Sequence, residues 1–479
     1  MAEERVRKGA SRLNPVLELV DLSALSVSSV APIFSVAAAG GLLVRIAGHA
    51  VIWAIVLVAI PFLLSSWLFL LLNRAFPHAG ASYHWARRIV GRDYSNFQSW
   101  IILMAYLWSI PPILIPAASL TLSLAGFHHP PLSWVLAASG LWTGLAAAIL
   151  LAGARATAAV TRLFLAAEAI SVVVMGIWGG LDWHRAAVGS GRAPVHWSAV
   201  LVAMVLAATI VDGWEIDSYA AEESKKPRAA PGWGGLVGAL MVVLYYVVIW
   251  PILLHEVPLP ALARSPDVLI TWSLRAAPQM VDLFRIAVLA STAGSLWLTT
   301  YILSRALYAM ARDGIMPRWL DGVNRHQAPA SAILGPLAMA YAVTCSQFLW
   351  PFLHNVFALV LGTAGFFLVA EFWLDGINAL VWIWRFRALM KRNLPGYLRG
   401  IVLGVALTVV ISLGTLEVLF WLWGPRDIGR GIDGVILGML AVGAARVFWL
   451  RARVAQSTVT AVEGEDGEGA PGAYREVSR

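Results

Sequence analysis

Charge is scarce in this chain. Aspartate, glutamate, lysine and arginine make up 13% of its 479 residues, where soluble chains carry about 25%. A surface facing water on a molecule of this size needs far more charge, so most of this surface must face something else. Cysteine is nearly absent. The single Cys345 excludes an intrachain disulfide, and no cysteine–histidine spacing suits a metal. Its apolar surroundings suit a small packing residue. Histidine clusters are lacking too. His128-His129 is the one tight pair, which leaves a membrane-embedded enzyme without its constellation of catalytic groups. Rings of like charge and repeated filter loops, the marks of a channel, are missing. No cofactor and no metal are implied.

What is present is apolar. The hydrophobic fraction is 59% and the mean hydropathy is +0.74. A bilayer is crossed by about 20 apolar residues in a helix. Twelve stretches qualify, at roughly 20–44, 50–72, 97–124, 132–151, 158–180, 197–220, 234–254, 282–309, 330–350, 354–384, 401–423 and 434–450. The expected fold class is therefore an all-α integral membrane protein with 12 transmembrane helices. Residues 1–19 read as a polar tail, and 454–479, rich in glycine and glutamate, as a disordered one. The first apolar run is long and lacks a small-residue cleavage site, so it is expected to stay as the first span.

The net charge of +8 would suggest nucleic acid in a soluble chain. Here the basic residues follow membrane topology instead. With the N-terminus inside, the inner segments carry 27 of the 35 lysines and arginines. That asymmetry places both termini in the cytoplasm, and the plasma membrane is the expected location. Many of the 23 tryptophans, among them Trp85, Trp100, Trp134, Trp183, Trp197, Trp423 and Trp449, stand near span ends. They suit interfacial anchors and not a stacking platform for nucleic acid.

Two spans carry breakers. The first holds Ser26, Ser28, Ser29 and Pro32 at mid-membrane depth, where serine and proline weaken a helix. The sixth places Asp212, Gly213, Glu215 and Asp217 in or beside the apolar core. Charges there are costly and mark functional sites. Interrupted spans at matching positions of two halves point to a transporter with an inverted repeat.

Three segments then resemble the amino acid–polyamine–organocation (APC) superfamily. They are Phe76-Pro-His-Ala-Gly-Ala-Ser-Tyr83, Gly213-Trp-Glu215 followed by Ala221-Glu-Glu-Ser-Lys-Lys-Pro-Arg228, and Ser304-Arg-Ala-Leu-Tyr-Ala-Met-Ala-Arg-Asp-Gly-Ile-Met-Pro317. The resemblance implies a five-plus-five inverted repeat with helices 1 and 6 broken. Repeat one would span about 20–180, repeat two about 197–385, and two further helices 401–450. It implies a secondary transporter of amino acids, polyamines or related organic cations, coupled to H+ or Na+ or working as an exchanger. An amino acid sensor on the same fold would leave the same motifs, and flux in vesicles separates the two.

The resemblance also implies roles. Ser28, Ser29, Ala31, Ile33 and Phe34 would meet the substrate at the first break, with backbone N–H groups of Ala31 to Phe34 facing a carboxylate. Pro32 departs from the family's glycine-rich pattern and has no N–H to donate. Val211, Asp212, Gly213 and Trp214 would meet it at the second break, with Trp214 as an aromatic gate. Asp212 is open to three readings: it faces a substrate amine, it takes up a coupling proton, or nearby helix N-termini satisfy it. Glu168 stands where some proton-coupled relatives carry lysine, so that coupling chemistry does not transfer. It either exchanges a proton or pairs with a polar group of span one or eight. Ser295 and Thr299 would line an ion or substrate path. Glu222, Glu223, Arg312 and Asp313 would form ion pairs of an inner gate, or else a solvated pattern of loop charges.

Overall fold

The computed structural model describes residues 12–127, 129–183, 195–349, 354–386, 396–423 and 426–465. Helices account for nearly all of it. Among the described residues there is no β-strand, and one isolated bridge joins Leu17 to Ser224. The helices are α1 (Leu19–Val30), α2 (Pro32–Ala47), α3 (Val51–Ala75), α4 (Ala81–Ile89), α5 (Arg92–Ser109), α6 (Pro111–Leu124), α7 (Leu132–Leu151), α8 (Ala154–Asp182) and α9 (Trp197–Ala207). Then follow α10 (Ile216–Tyr219), α11 (Ala230–Glu256), α12 (Leu259–Arg264), α13 (Val268–Ala276), α14 (Val281–Arg312), α15 (Ala330–Leu349), α16 (His354–Arg385), α17 (Gly396–Trp423) and α18 (Arg426–Glu465).

Nine helical stretches among the described residues are long and apolar enough to cross a bilayer. The first, Leu19–Ala75, takes in α1, α2 and α3, with only a turn at Gly48–Ala50 between the last two. Trp197–Ile210 and Ala330–Ser346 are shorter apolar helices. The outer faces confirm the medium. Leu163, Ile170, Val173, Ile177 and Leu181 line one exposed face of α8 at helical spacing. So many large apolar side chains on one stripe are stable against lipid and not against water.

Inside, α14 is the pillar. Almost every residue from Ala290 to Ala311 is buried, and the helix packs on α1, α2, α5, α6, α7, α8, α10, α13 and α15. Close helix contact uses small residues, as membrane packing requires. A Cβ on Gly234 of α11 would lie 2.8 Å from Leu22 Cβ. One on Gly238 would overlap Ser26 Cβ. These glycines press α11 against α1 and hold the first half-helix in place.

The interruption expected in the span at 197–220 begins after Ile210, and helix resumes at Ile216. Two expectations change. The span expected at 97–124 is two helices, because Pro111-Pro112 ends the hydrogen-bond ladder and restarts it at α6. The last helix continues past Arg453 to Glu465, into the segment expected to be a disordered tail. Ala455, Gln456, Ala461 and Glu463 are good helix formers, and the glycine-rich composition begins only at Gly464. Residues 466–479, like 1–11, lie outside the described residues.

Candidate functional site

Two interruptions meet near the centre of the bundle. Between α1 and α2, Ala31 takes the left-handed conformation with φ 51° and ψ 59°. Pro32 follows as the first residue of α2, where its fixed φ helps and its missing N–H costs nothing. Ser35 stitches the break: its N–H donates to the Ala31 carbonyl at 2.8 Å and its hydroxyl to the Val30 carbonyl at 3.0 Å. Phe34 N–H donates to Ser291 Oγ at 3.1 Å. The N–H of Ile33 is the donor of that first turn left without a protein acceptor among the described residues.

The second interruption runs from Val211 to Glu215, between a tight turn at Ala208–Ile210 and α10. Gly213 has φ 111°, and a Cβ there would lie 2.8 Å from Val30 N and 2.9 Å from the Ser29 carbonyl carbon. Only glycine lets the two breaks touch. Ser26 Oγ donates to the Trp214 carbonyl at 3.0 Å, and the Tyr246 hydroxyl donates to the Ile210 carbonyl. Glu215 folds back on the loop. Its Oε2 accepts the Gly213 N–H at 2.8 Å and its Oε1 accepts the Tyr106 hydroxyl at 2.9 Å. Side chains thus satisfy the backbone groups that the lost helix set free, as lipid surroundings demand.

A cavity of about 310 Å³ opens beside the touching breaks. Ser29, Val30, Phe34, Asp212 and Gly213 line it, with Tyr106, Ser295 and Thr299 facing them. It extends along α2 past Ala38 and Leu42 and along α9 to Leu206. Among the described residues, no lysine, arginine or histidine pairs with Asp212. The cavity therefore offers Asp212 as a carboxylate without a cation, the hydrogen-bonded Glu215 beside it, several hydroxyls and, at its edge, the start of a half-helix.

A second polar cluster closes the end of the bundle away from Leu42. The three sequence motifs converge there. Arg312 donates two hydrogen bonds to Glu222, at 2.7 and 2.9 Å. Ala79 N–H donates to the same carboxylate at 3.1 Å. His78 stacks on His84 with centroids 3.9 Å apart, and its Nδ1 accepts the Gly80 N–H at 3.0 Å. Burial holds the His78 imidazole down to about 3, helped by the charges of His84, Arg312 and Arg88 against the pull of Glu222. Burial likewise lowers His84 to about 4. Asp313 accepts from the Tyr83 hydroxyl at 3.0 Å, with Arg87 at 3.5 Å.

Deeper in, Arg305 and Glu223 form two hydrogen bonds of 2.9 Å with side chains 0% and 2% exposed. The Tyr301 hydroxyl also donates to Glu223, and the Arg305 guanidinium lies 3.6 Å over the Tyr301 ring. The Glu223 carbonyl accepts the N–H groups of Val16 and Leu17, each at 2.8 Å, and Lys225 N–H returns to the Leu17 carbonyl at 2.9 Å. The chain before α1 is thereby pinned across this end.

Both breaks, the cavity lining and this cluster lie within residues 21–422, which match the model of the amino acid permease family. The chain belongs to the amino acid permease family. This permease is 23% identical over 355 residues to a branched-chain amino acid permease of Lactococcus lactis, covering 69% of this chain and 75% of that one. It is 25% identical over 402 residues to a probable GABA permease of Pseudomonas aeruginosa, covering 76% and 78%. It is 26% identical over 304 residues to the chloroplastic cationic amino acid transporter 9 of Arabidopsis thaliana, covering 58% and 52%. Family and apolar helices together make the permease a multi-pass membrane protein.

The structure brings some of the expected residues together and not others. Ser29, Phe34, Asp212, Gly213, Ser295 and Thr299 share the cavity wall. Ser28 instead faces α14 at Gly294, with its Oγ buried and unpartnered. Ala31, Ile33 and Val211 are buried behind the wall. Trp214 points into the core, stacked on Phe372 at 5.3 Å and edge-on to Phe69 at 5.0 Å, so it does not gate this cavity. Glu168 is fully buried outside the lining and accepts the Ser291 hydroxyl at 2.7 Å, which is the pairing with span eight. Asp217 turns away to the Gly235 N–H. Of the gate residues, Glu222 meets Arg312, while Glu223 and Asp313 take other partners. Tyr106, Ser35, Thr209 and Tyr246 are site residues that the sequence reading did not single out.

Proposed function

We propose that this permease is a secondary active transporter that moves an amino acid or a related amine across the plasma membrane by alternating access. The observation that carries this reading is Asp212, a carboxylate without a cation in a cavity bounded by two broken helices. An ammonium group is the natural partner for it. The positive end of α2, whose first turn brings Phe34 to the cavity wall, suits a carboxylate at the other end of the same solute. The cavity volume matches a molecule the size of an amino acid.

Twelve passes are the architecture we favour. Splitting Leu19–Ala75 at its turn and counting the two short apolar helices brings the nine long stretches to twelve. Both termini then lie in the cytoplasm, α1–α8 and α9–α16 form the two inverted repeats, and α17 and α18 follow. In that frame the Glu222–Arg312 cluster is a closed inner gate, and the cavity reaches toward the outside. The names of the relatives support branched-chain, GABA-like and cationic amino acids as the solutes to try first.

The test is ligand stabilisation followed by flux. The purified chain is heated with L-leucine, GABA, L-arginine and putrescine in turn, since a ligand that binds the folded state raises the melting temperature with the logarithm of its concentration over Kd. Ligands that stabilise are then loaded into proteoliposomes. Counterflow of the labelled compound supports the transporter reading. Stabilisation without any counterflow would turn the reading to a sensor.

A further inference from the structure

Helix α16 carries a second polar centre inside the bundle, away from the cavity wall. Glu371, Asp375 and Asn378 recur at helical spacing and are 0%, 2% and 0% exposed. Glu371 Oε1 accepts the Tyr219 hydroxyl at 2.6 Å and the Ser82 hydroxyl at 2.9 Å. Asp375 Oδ1 accepts from Gln98 Nε2 at 3.0 Å and from Asn378 Nδ2 at 2.8 Å. Three acceptors are left over. Glu371 Oε2, Asp375 Oδ2 and Asn378 Oδ1 are all buried and have no donor among the described residues. Buried acceptors without donors are rare in folded proteins and call for a partner, be it a water, an ion or a proton.

No cation fills the gap. Arg87 of α4 is committed to Tyr83 and Asp313. Arg385, on α16 itself, bonds to the carbonyls of Ile89 and Val90. Arg446 of α18 bonds to Asn96, Ser99 and Ile315. Arg399 and Glu417 of α17 make no hydrogen bond to the cluster, and Tyr341 of α15 bonds to Leu136. Tyr94 of α5 gives its hydroxyl to the Leu374 carbonyl. Nor does any group of three metal-ligating side chains occur among the described residues. A water can lend such an oxygen a donor but leaves its charge in place. A proton supplies a donor to an orphaned oxygen and removes a charge from apolar surroundings in the same step.

The position of the pair links it to both ends of the transport path. Tyr219, which holds Glu371, lies ring to ring with Tyr106 at 6.0 Å. Tyr106 bonds to Glu215 at 2.9 Å, and both line the cavity. On the other side, Ser82 is the neighbour of Tyr83, which holds Asp313 in the gate cluster. We propose that the Glu371–Asp375 pair is a proton-binding site and that its proton is the coupling ion of transport. On uptake, a hydronium ion gives up its proton and one O–H bond forms on a carboxylate oxygen. On release, that bond breaks and water takes the proton. The coupling half of the proposal rests on the transporter reading above.

The test uses the full chain and the near-isosteric variants Glu371→Gln and Asp375→Asn, with Glu371→Asp as a rescue. Infrared spectra at neutral pH report the carbonyl band of a protonated carboxylic acid, exchange-sensitive in heavy water. That band is expected in the wild type and weakened in Glu371→Gln or Asp375→Asn. A band unchanged in both variants overturns the proton site, whatever the protein transports. In proteoliposomes, counterflow of labelled L-leucine, GABA or L-arginine is expected to survive in Glu371→Gln, while accumulation driven by an inward proton gradient falls to the equilibrium level. Glu371→Asp is expected to regain part of it. Full gradient-driven accumulation in Glu371→Gln overturns the coupling role. Loss of counterflow in the wild type as well would count against the transporter reading, with the infrared band still deciding the proton site.

Discussion

Gly213 lies so close to Val30 that any Cβ on it would stand 2.8 Å from the Val30 amide nitrogen. The contact is backbone to backbone, so no side-chain rotation relieves it. Gly213→Ala is expected to cost about 1–3 kcal/mol in backbone strain alone, and more as the two breaks are pushed apart. The expected outcome is a lower melting temperature together with lost ligand stabilisation, read in the same thermal-shift experiment. A variant as stable and as responsive as the wild type would show that the breaks need not touch.

Asp212 separates amine recognition from the bland reading in which the loop itself satisfies the carboxylate. Replacing a charged hydrogen-bond partner costs about 1.5–3 kcal/mol, which is roughly a tenfold to hundredfold loss in affinity. Asp212→Asn is therefore expected to weaken binding of the stabilising solute by that factor, with the unliganded melting temperature little changed. Unchanged affinity and cation preference would sink the amine contact.

The two ion pairs at this end of the bundle, Arg305–Glu223 and Glu222–Arg312, differ in what they do. Arg305–Glu223 is sealed from solvent. Breaking one partner of such a pair leaves a buried charge alone and costs about 3–5 kcal/mol. Arg305→Met and Glu223→Gln are each expected to lower the melting temperature sharply. The double variant Arg305→Met, Glu223→Met is expected to recover most of the loss, because no charge is then stranded. If the double variant is as unstable as the singles, packing and not charge explains the effect.

Much of this was legible in the chain itself. The breaks could be placed because proline, serine and glycine at mid-span have few other uses, and the polar end cluster because the Ser304–Pro317 motif is specific and the other two motifs fall in order with it. Trp214 misled because its neighbour Gly213 lines the cavity, and on an irregular loop adjacent side chains need not share a side. The centre on α16 was missed although its signal was present. Glu371 and Asp375 are acids inside an apolar span, the same cue that drew attention to Asp212. What no sequence could supply is which of their oxygens lack a donor, since the donors come from residues as distant as Ser82, Gln98 and Tyr219.

The histidine pair sets a pH dependence of stability. His78 is held at about 3 against an ordinary value of 6.5, and His84 at about 4. Below 6.5 the unfolded chain takes up protons that the folded chain refuses. The unfolded state therefore binds more protons between about 3 and 6.5, and stability rises with pH through that window. Above 6.5 the contribution is constant. The melting temperature is expected to fall as pH drops from 6.5 toward 4, and to fall less in His78→Gln. An identical slope in the variant would remove His78 as a cause.

The Glu222–Arg312 pair is held differently. Its side chains are 11% and 7% exposed, and it ties α14 to the segment after α10 and, through Ala79, to the loop before α4. It joins separate elements at the end of the bundle, so its loss is expected to shift the balance between closed and open states more than the stability of either. The single native cysteine makes this measurable. On a Cys345→Ala background, Ser29→Cys places a thiol on the cavity wall. In the wild-type gate an impermeant thiol reagent added from the cytoplasmic side is expected to label it slowly. With Arg312→Gln, labelling from that side is expected to speed up by about tenfold, the effect of roughly 1.4 kcal/mol on a two-state equilibrium. The rate from the outer side is expected to fall or hold steady. Faster labelling from both sides would mean general loosening of the bundle. An unchanged inner rate would mean that the deeper Arg305–Glu223 pair and the pinned segment at Val16–Leu17 keep this end closed without help.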